Sequence, residues 1–166
     1  MKKLQKNGFT LVELIIVIII IGILAALAIP QFGSKTLEAK VATQQANLAV
    51  LRNAISLYYH EHDSKYPGST KSTDGSTAAA GDMASSFVAQ MTTYSNATGK
   101  CNASKDAAYP FGPYLATRAI PDNPLAATGV VANTVKATDA AGALVKDNTT
   151  GWFVSTATGE IINNET

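Results

Sequence analysis

Gly8-Phe9-Thr10-Leu11-Val12-Glu13-Leu14-Ile15-Ile16-Val17-Ile18-Ile19-Ile20-Ile21-Gly22-Ile23-Leu24-Ala25-Ala26-Leu27-Ala28-Ile29-Pro30 is the stretch that decides the architecture. Between Phe9 and Ile29 it carries a single charge, Glu13. A helix of that length rises about 30 Å, the thickness of a bilayer's hydrocarbon core. Many of its residues are β-branched, which lowers helix propensity slightly in water, but in lipid the backbone must satisfy itself and the helix wins. Lys2, Lys3 and Lys6 flank the N-terminal side. By the positive-inside rule they place that end in the cytoplasm and everything after Pro30 outside it.

Three readings of this segment compete. It can be a permanent single-pass anchor. It can be a secretory signal peptide, cut after Ala28, since Ala26-Leu27-Ala28 supplies a small-x-small pattern. The third reading uses Glu13. An ionised carboxylate inside an apolar run is costly and by default functional, unless it snorkels to the cytoplasmic edge. Its natural partner is a positive charge at similar depth. No Lys or Arg lies between residues 7 and 34. The remaining candidate is an α-amino group, created if the chain is cut just before Phe9.

Lys6-Asn7-Gly8-Phe9-Thr10-Leu11-Val12-Glu13-Leu14 resembles the N-terminus of type IV pilins and pseudopilins: a short basic leader ending in Gly, then Phe, then an apolar helix with Glu at the fifth mature position. The resemblance implies roles. Gly8 precedes the cut made by a membrane prepilin peptidase, which also N-methylates the new terminus at Phe9. Glu13 neutralises the Phe9 amine of a neighbouring subunit in a filament. Two charges paired in an apolar bundle are tolerable where either alone is costly. The implied organisation is a cleaved leader at 1–8, a transmembrane and assembly half of the first helix at 9–30, and an extracytoplasmic head at 31–166.

Pro30 removes one helical hydrogen bond and crowds the carbonyl of Ala26. It marks either a helix end at the membrane boundary or a kink. The pattern favours a kink, at Gly22 and Pro30, because residues 31–62 resume helical spacing. Leu37, Val41, Leu48, Leu51, Ile55 and Tyr58 or Tyr59 recur at intervals of three, four and seven, while Lys40, Gln44, Asn47 and Arg52 face elsewhere. One helix from 9 to about 62 would be roughly 80 Å long. Its second half is amphipathic and needs a partner, which the C-terminal part of the chain must supply.

His60-Glu61-His62-Asp63 has metal-ligand chemistry, but residues two apart on a helix do not share a face. It reads as a solvated helix end. Tyr66-Pro67-Gly68 stops the helix, and Ser69 to Ala80 reads as loop. Asp82 is placed to cap a helix over 83–95, with Phe87, Met91 and Tyr94 as its core stripe. A strand begins near Val130-Val131. Trp152-Phe153-Val154 and Glu160-Ile161-Ile162 frame Thr156-Ala157-Thr158-Gly159 as a hairpin. The expected fold is α+β: a long kinked N-terminal helix packed on a small C-terminal antiparallel sheet of three or four strands.

The later part of the chain is similar to a narrower group. Tyr58-Tyr59 with Lys65-Tyr66-Pro67 resembles the helix end of the major pseudopilin of type II secretion. Gly112-Pro113-Tyr114-Leu115, Ile120-Pro121-Asp122-Asn123-Pro124 and Gly151-Trp152-Phe153 with Thr158-Gly159-Glu160-Ile161 are similar to a broader pseudopilin-like group. Two features depart from the family. Major pseudopilins carry an Asp- and Gly-rich calcium loop near the C-terminus, whereas this tail reads Ile162-Asn163-Asn164-Glu165-Thr166. Calcium in the head is therefore unsupported by a motif, and no cofactor is expected. Surface pilins often close a C-terminal disulfide loop, which the single cysteine, Cys101, cannot form. Cys101 reads as an inert thiol, with an intermolecular bridge as the alternative.

The chain's 166 residues fit one domain plus an extension. Net charge is +1, and without Lys2, Lys3 and Lys6 the side chains hold 10 basic against 12 acidic groups. No basic surface for nucleic acid is expected. There is no Gly-rich phosphate loop, Cys-x-x-Cys or His-Glu-x-x-His, and no enzyme is expected. The sequence thus points to a structural subunit that waits in a bacterial inner membrane and polymerises into a helical filament. A pseudopilin of a type II secretion machine comes first and an extracellular type IV pilus subunit second. A secreted binding protein with its signal cut after Ala28 is the rival from another class, and a membrane-anchored enzyme stands last. Expected partners are further copies of the chain, the prepilin peptidase, an inner-membrane assembly platform, other pilins or pseudopilins, and lipid before assembly.

Overall fold

The computed structural model describes residues 9–165, with 26–34 described by their helical backbone alone. One helix, α1 (Leu11–Glu61), carries the N-terminal part of the chain. After it come α2 (Met83–Thr92), a two-stranded ribbon of β1 (Tyr94–Ser95) and β2 (Cys101–Asn102), and a sheet of β3 (Val135–Thr138), β4 (Trp152–Ser155) and β5 (Ile161–Asn163). The chain divides into two units, Met1–Ala39 and Lys40–Thr166. The long first helix and small sheets bear out the α+β expectation. Of the two kink positions, Gly22 is open, with no atom within 4 Å of where a Cβ would stand, and Pro30 lies outside the described side chains.

In the second unit α1 presents Gln44, Leu48, Leu51, Ile55 and Tyr58 along one face, and His62, just past its end, continues the row. Their alternating spacing of four and three is that of a buried helical stripe. Leu51 and Tyr58 are fully buried, against Phe87 and Met91 of α2, Leu115 and Ile120 of the connector, Trp152 and Val154 of β4, and Ile161 of β5. Each such large apolar side chain contributes about 1.5–3 kcal/mol by leaving water. Leu37 and Val41, expected in the stripe, stay exposed. Gln44, expected to face away, is buried instead, and its Nε2 donates to Asn123 Oδ1 at 2.8 Å. A long polar side chain can join a core stripe when a buried acceptor meets it.

The sheet differs from the expected antiparallel one. β4 pairs antiparallel with β5 but parallel with β3. Residues 139–151 lead the chain back to the starting edge, the long crossover that parallel pairing requires. All four residues of β4 are buried, as suits a central strand covered on both faces. The hairpin expected around Thr156–Gly159 is present. Gly159 has φ +71°, and a Cβ there would stand 2.2 Å from Tyr66 Cε1, so the ring leaves room for glycine alone. The strand expected at Val130-Val131 starts later, because Val131's carbonyl closes a turn with Thr134 N and Oγ1 at 3.1 and 2.6 Å.

α2 stops at Thr92. Thr92 and Thr93 turn their hydroxyls back onto the Val88 and Ala89 carbonyls at 2.7 Å, and Thr93 is extended. Tyr94 therefore enters β1 instead of the α2 stripe. Asp82 stands at the N-cap position without a side-chain cap bond; its carboxylate meets Lys71 Nζ at 3.2 Å. Cys101 is half-buried in β2, and burial pushes its thiol up, which favours the protonated form.

His62 corrects the reading of a solvated helix end. It is 1% exposed and stacks on the Tyr58 ring at 3.7 Å. Its Nδ1 lies 3.0 Å from the Tyr58 carbonyl and its Nε2 3.0 Å from Ser95 Oγ. Phe111 and Tyr114 flank the ring, and Tyr114 donates to Glu61 Oε2 at 2.5 Å. Burial pushes His62 below its ordinary value of 6.5, outweighing the raising effects of the Tyr58 carbonyl and Glu61. The unfolded chain thus binds a proton here more readily than the native one. Stability contributed by neutral His62 is full above pH 6.5 and is lost as pH falls through its lower native value. The full-length protein in detergent should accordingly lose thermal stability on acidification below about pH 6.5. His62→Gln should be less stable throughout but flatter across that window; an unchanged slope in the variant would reject the assignment.

A second buried polar group ties the loops. Gln90 is fully buried, accepts Gly68 N–H at 2.7 Å, and donates to the Thr70 and Gly99 carbonyls at 3.0 and 2.8 Å. Gln90→Leu would strand all three backbone groups. At about 1–3 kcal/mol per unpaired buried group, it should destabilise the protein by at least about 3 kcal/mol in urea unfolding monitored by Trp152 fluorescence.

Candidate assembly segment

The N-terminal end of α1 is built by four residues. Leu11 is the first helical residue, so Thr10 occupies the cap position and Glu13 the third helical position. Glu13 Oε2 accepts Thr10 N–H at 2.9 Å and Thr10 Oγ1–H at 2.8 Å, while Glu13 N–H donates back to Thr10 Oγ1 at 3.2 Å. This is a reciprocal capping box: helix-start donors without intrahelical partners are satisfied by a hydroxyl and a carboxylate three residues apart. The carboxylate also sits at the positive end of the helix dipole. Thr10-x-x-Glu13 was the signal for this in the sequence; read as a lone charge in an apolar run, it gave no hint that Thr10 was a partner.

Phe9 precedes the cap and is 79% exposed. Behind it every large aliphatic from Leu11 to Leu24 is exposed, from 42% at Ile15 to 73% at Leu11. A helix apolar on all faces has no polar side to turn to water and requires lipid or protein around it. Gly8, the expected residue before the cut, lies outside the described residues. Among the described residues no helix is long and apolar enough to cross a membrane; the side chains of the run are described only as far as Ala25. The geometry brings Thr10 and Glu13 together, one residue after Phe9.

A cleft of about 350 Å³ is lined by Arg52, Ile55, Tyr59, His60, Tyr66 and Gly159. Another, of about 470 Å³, lies between α2 and β3 around Val88 and Val135. Among the described residues no three His, Cys, Asp or Glu side chains come together to hold a metal.

Residues 3–29 match the family model described as the prokaryotic N-terminal methylation motif. The chain is 40% identical to the type II secretion system core protein G of Pseudomonas aeruginosa over 58 residues, 35% of this chain and 41% of that one. It is 51% identical to the type IV major fimbrial protein FimA of Dichelobacter nodosus over 55 residues, 33% of this chain and 35% of the relative. With the core protein G of Aeromonas hydrophila the identity is 32% over 74 residues, 45% of this chain and 51% of that one. The chain thus spans between about a third and about a half of the length of these relatives. No solved structure matches it. With that motif at its N-terminus and these relatives, the chain carries the prepilin-type N-terminal methylation motif and is related both to type II secretion core protein G and to type IV pilins.

Proposed function

We propose that the chain is the precursor of a filament subunit, held in the bacterial inner membrane by residues 9–30 and polymerised through the same segment. Gly8-Phe9 is the bond cut by a prepilin peptidase, Phe9 becomes the methylated terminus, and the α1 axis bends at Gly22 and Pro30. The observation that carries this reading is Glu13, the one charge between Phe9 and Ile29, held by Thr10 a single residue from the new terminus. Before assembly the capping box gives the carboxylate two donors of its own chain, which offsets part of its desolvation in lipid. On assembly the Phe9 amine of a neighbour supplies the counter-charge, and neither charge is buried alone.

A pseudopilin of a type II secretion machine is favoured by the relatives named core protein G and by the absence of a cysteine pair. The fimbrial relative supports the second reading, an extracellular pilus subunit. Further copies of the chain, other pilins or pseudopilins and an assembly platform are the partners of either. The role is structural and requires no catalytic residue.

The mature protein should begin at Phe9 with a methylated amine, as read by intact mass and terminal sequencing. A start at Ile29 would mean a secretory signal, and an intact Met1 a plain anchor. Glu13→Ala and Glu13→Gln should be made and inserted yet polymerise poorly, with sheared filament reduced roughly tenfold or more at matched protein level. Thr10→Val removes the hydroxyl and keeps the charge, so its defect should be the milder one. Wild-type filament yield from both Glu13 variants would reject the charge-pair step.

A further inference from the structure

The C-terminal end of the head closes around one carboxylate. Asp147 lies in the last third of the long connection from β3 to β4. Its Oδ1 accepts three bonds: Thr149 N–H at 3.1 Å, Thr149 Oγ1–H at 2.7 Å and Asn164 Nδ2–H at 2.6 Å. Its Oδ2 accepts the Lys136 ammonium. Asn164 is fully buried and engages the same segment with every polar atom it has. Its Oδ1 accepts Asp147 N–H at 2.9 Å, and its Nδ2 also donates to Thr150 Oγ1 at 3.0 Å. Its backbone carbonyl accepts Asn148 N–H at 3.1 Å, and its N–H donates to the Gly151 carbonyl at 3.2 Å. Lys136 is held from a second side by the ring of Phe153, its register partner on β4, with the ammonium 4.9 Å from the ring centroid.

Type IV pilin-like heads of the major pseudopilin kind are expected to staple their C-terminal loop with calcium. Calcium requires six to eight oxygen ligands, several of them carboxylate. Here one carboxylate stands at the loop, its outward oxygen is taken by an ammonium, and the remaining donors to it are N–H and O–H groups. The other acid at this end, Glu165, has one oxygen buried without a partner, and burial pushes its carboxyl up against the opposing pull of Lys146. A cluster whose carboxylate is already saturated by donors, with an ammonium beside it, does not fit a divalent ion.

We infer that Lys136 is the resident cation of this loop, its ammonium closing residues 139–151 onto the C-terminus at the Asp147 carboxylate in place of a metal. The expectation of calcium rests on the pilin-like reading; the Lys136–Asp147–Asn164 arrangement does not. Lys136 also holds the Asp147 carboxyl well below the usual carboxylate range, with Thr149 and Asn164 adding to it. The consequence is a head whose fold does not respond to the calcium content of its surroundings.

Thermal unfolding of the full-length protein in detergent, followed by the fluorescence of Trp152 beside the loop, tests this. The wild type should unfold at the same temperature in excess EDTA and in millimolar calcium. Lys136→Gln should unfold about 2–4 °C lower in both media. Lys136→Arg, which keeps the charge, should recover at least half of that drop. A wild-type midpoint that falls in EDTA or rises in calcium overturns the inference, as does a Lys136→Gln protein that keeps the wild-type midpoint in EDTA. None of these outcomes depends on where the chain is cleaved, so a failure here is distinct from a failure of the filament reading.

Discussion

A buried backbone N–H or carbonyl without a partner costs about 1–3 kcal/mol, and most of the chain from Gly68 to Gly151 is neither helix nor ladder. Polar side chains carried into the interior meet that constraint. Gln90 serves the backbone of Gly68, Thr70 and Gly99. Asn123 accepts Gln44 Nε2–H and Leu125 N–H and donates to the Gly151 carbonyl. His62 meets the Tyr58 carbonyl and Ser95, and Asn164 meets the segment 147–151. The apolar cluster around Leu51, Tyr58, Phe87 and Trp152 supplies the driving force, but these amides and the imidazole decide which loop conformation it closes on.

The same economy appears at the other end of α1. A carboxylate in an apolar helix is a liability unless its lone pairs are occupied. Thr10 gives one oxygen of the Glu13 carboxylate two donors within the chain, at the one place on a helix where unpaired N–H groups stand ready. Glu13 is thus a helix-starting residue first, and the assembly role proposed for it would be built on that geometry. A charge five residues further along would find no such donors, because interior N–H groups are already bonded to carbonyls of the preceding turn. Position, and not charge alone, makes the acid usable in this segment.

Legibility in the sequence followed the range of the interactions. The long helix, the Trp152–Ile162 hairpin and the core residues Leu51, Ile55, Tyr58, Phe87 and Met91 rest on local periodicity and turn chemistry, and they were readable. Tyr94 was misplaced because two threonine hydroxyls end α2 early by bonding its last carbonyls. The strand pairing of β3 was misjudged because parallel and antiparallel strands have the same local pattern. Gln44 and His62 were read as solvent-facing, since a polar residue at a core position is indistinguishable in sequence from one beside it until its partner, Asn123 or Ser95, is known to be near.

What the sequence by itself determined is the apolar segment, its single acid, the basic residues ahead of it and the amphipathic helix that follows. These depend on composition and spacing over a few turns, and burial in any apolar surrounding would give the same helix. What the tertiary structure alone decided is the closure of the head. Lys136 and Asp147 lie eleven residues apart and Asp147 and Asn164 seventeen, in stretches without periodicity. They meet because β3, β4 and β5 share one sheet, which brings the end of the 139–151 segment against the C-terminus. A hydrogen bond between distant residues leaves no trace in local pattern; only the fold that delivers both ends to one place specifies it.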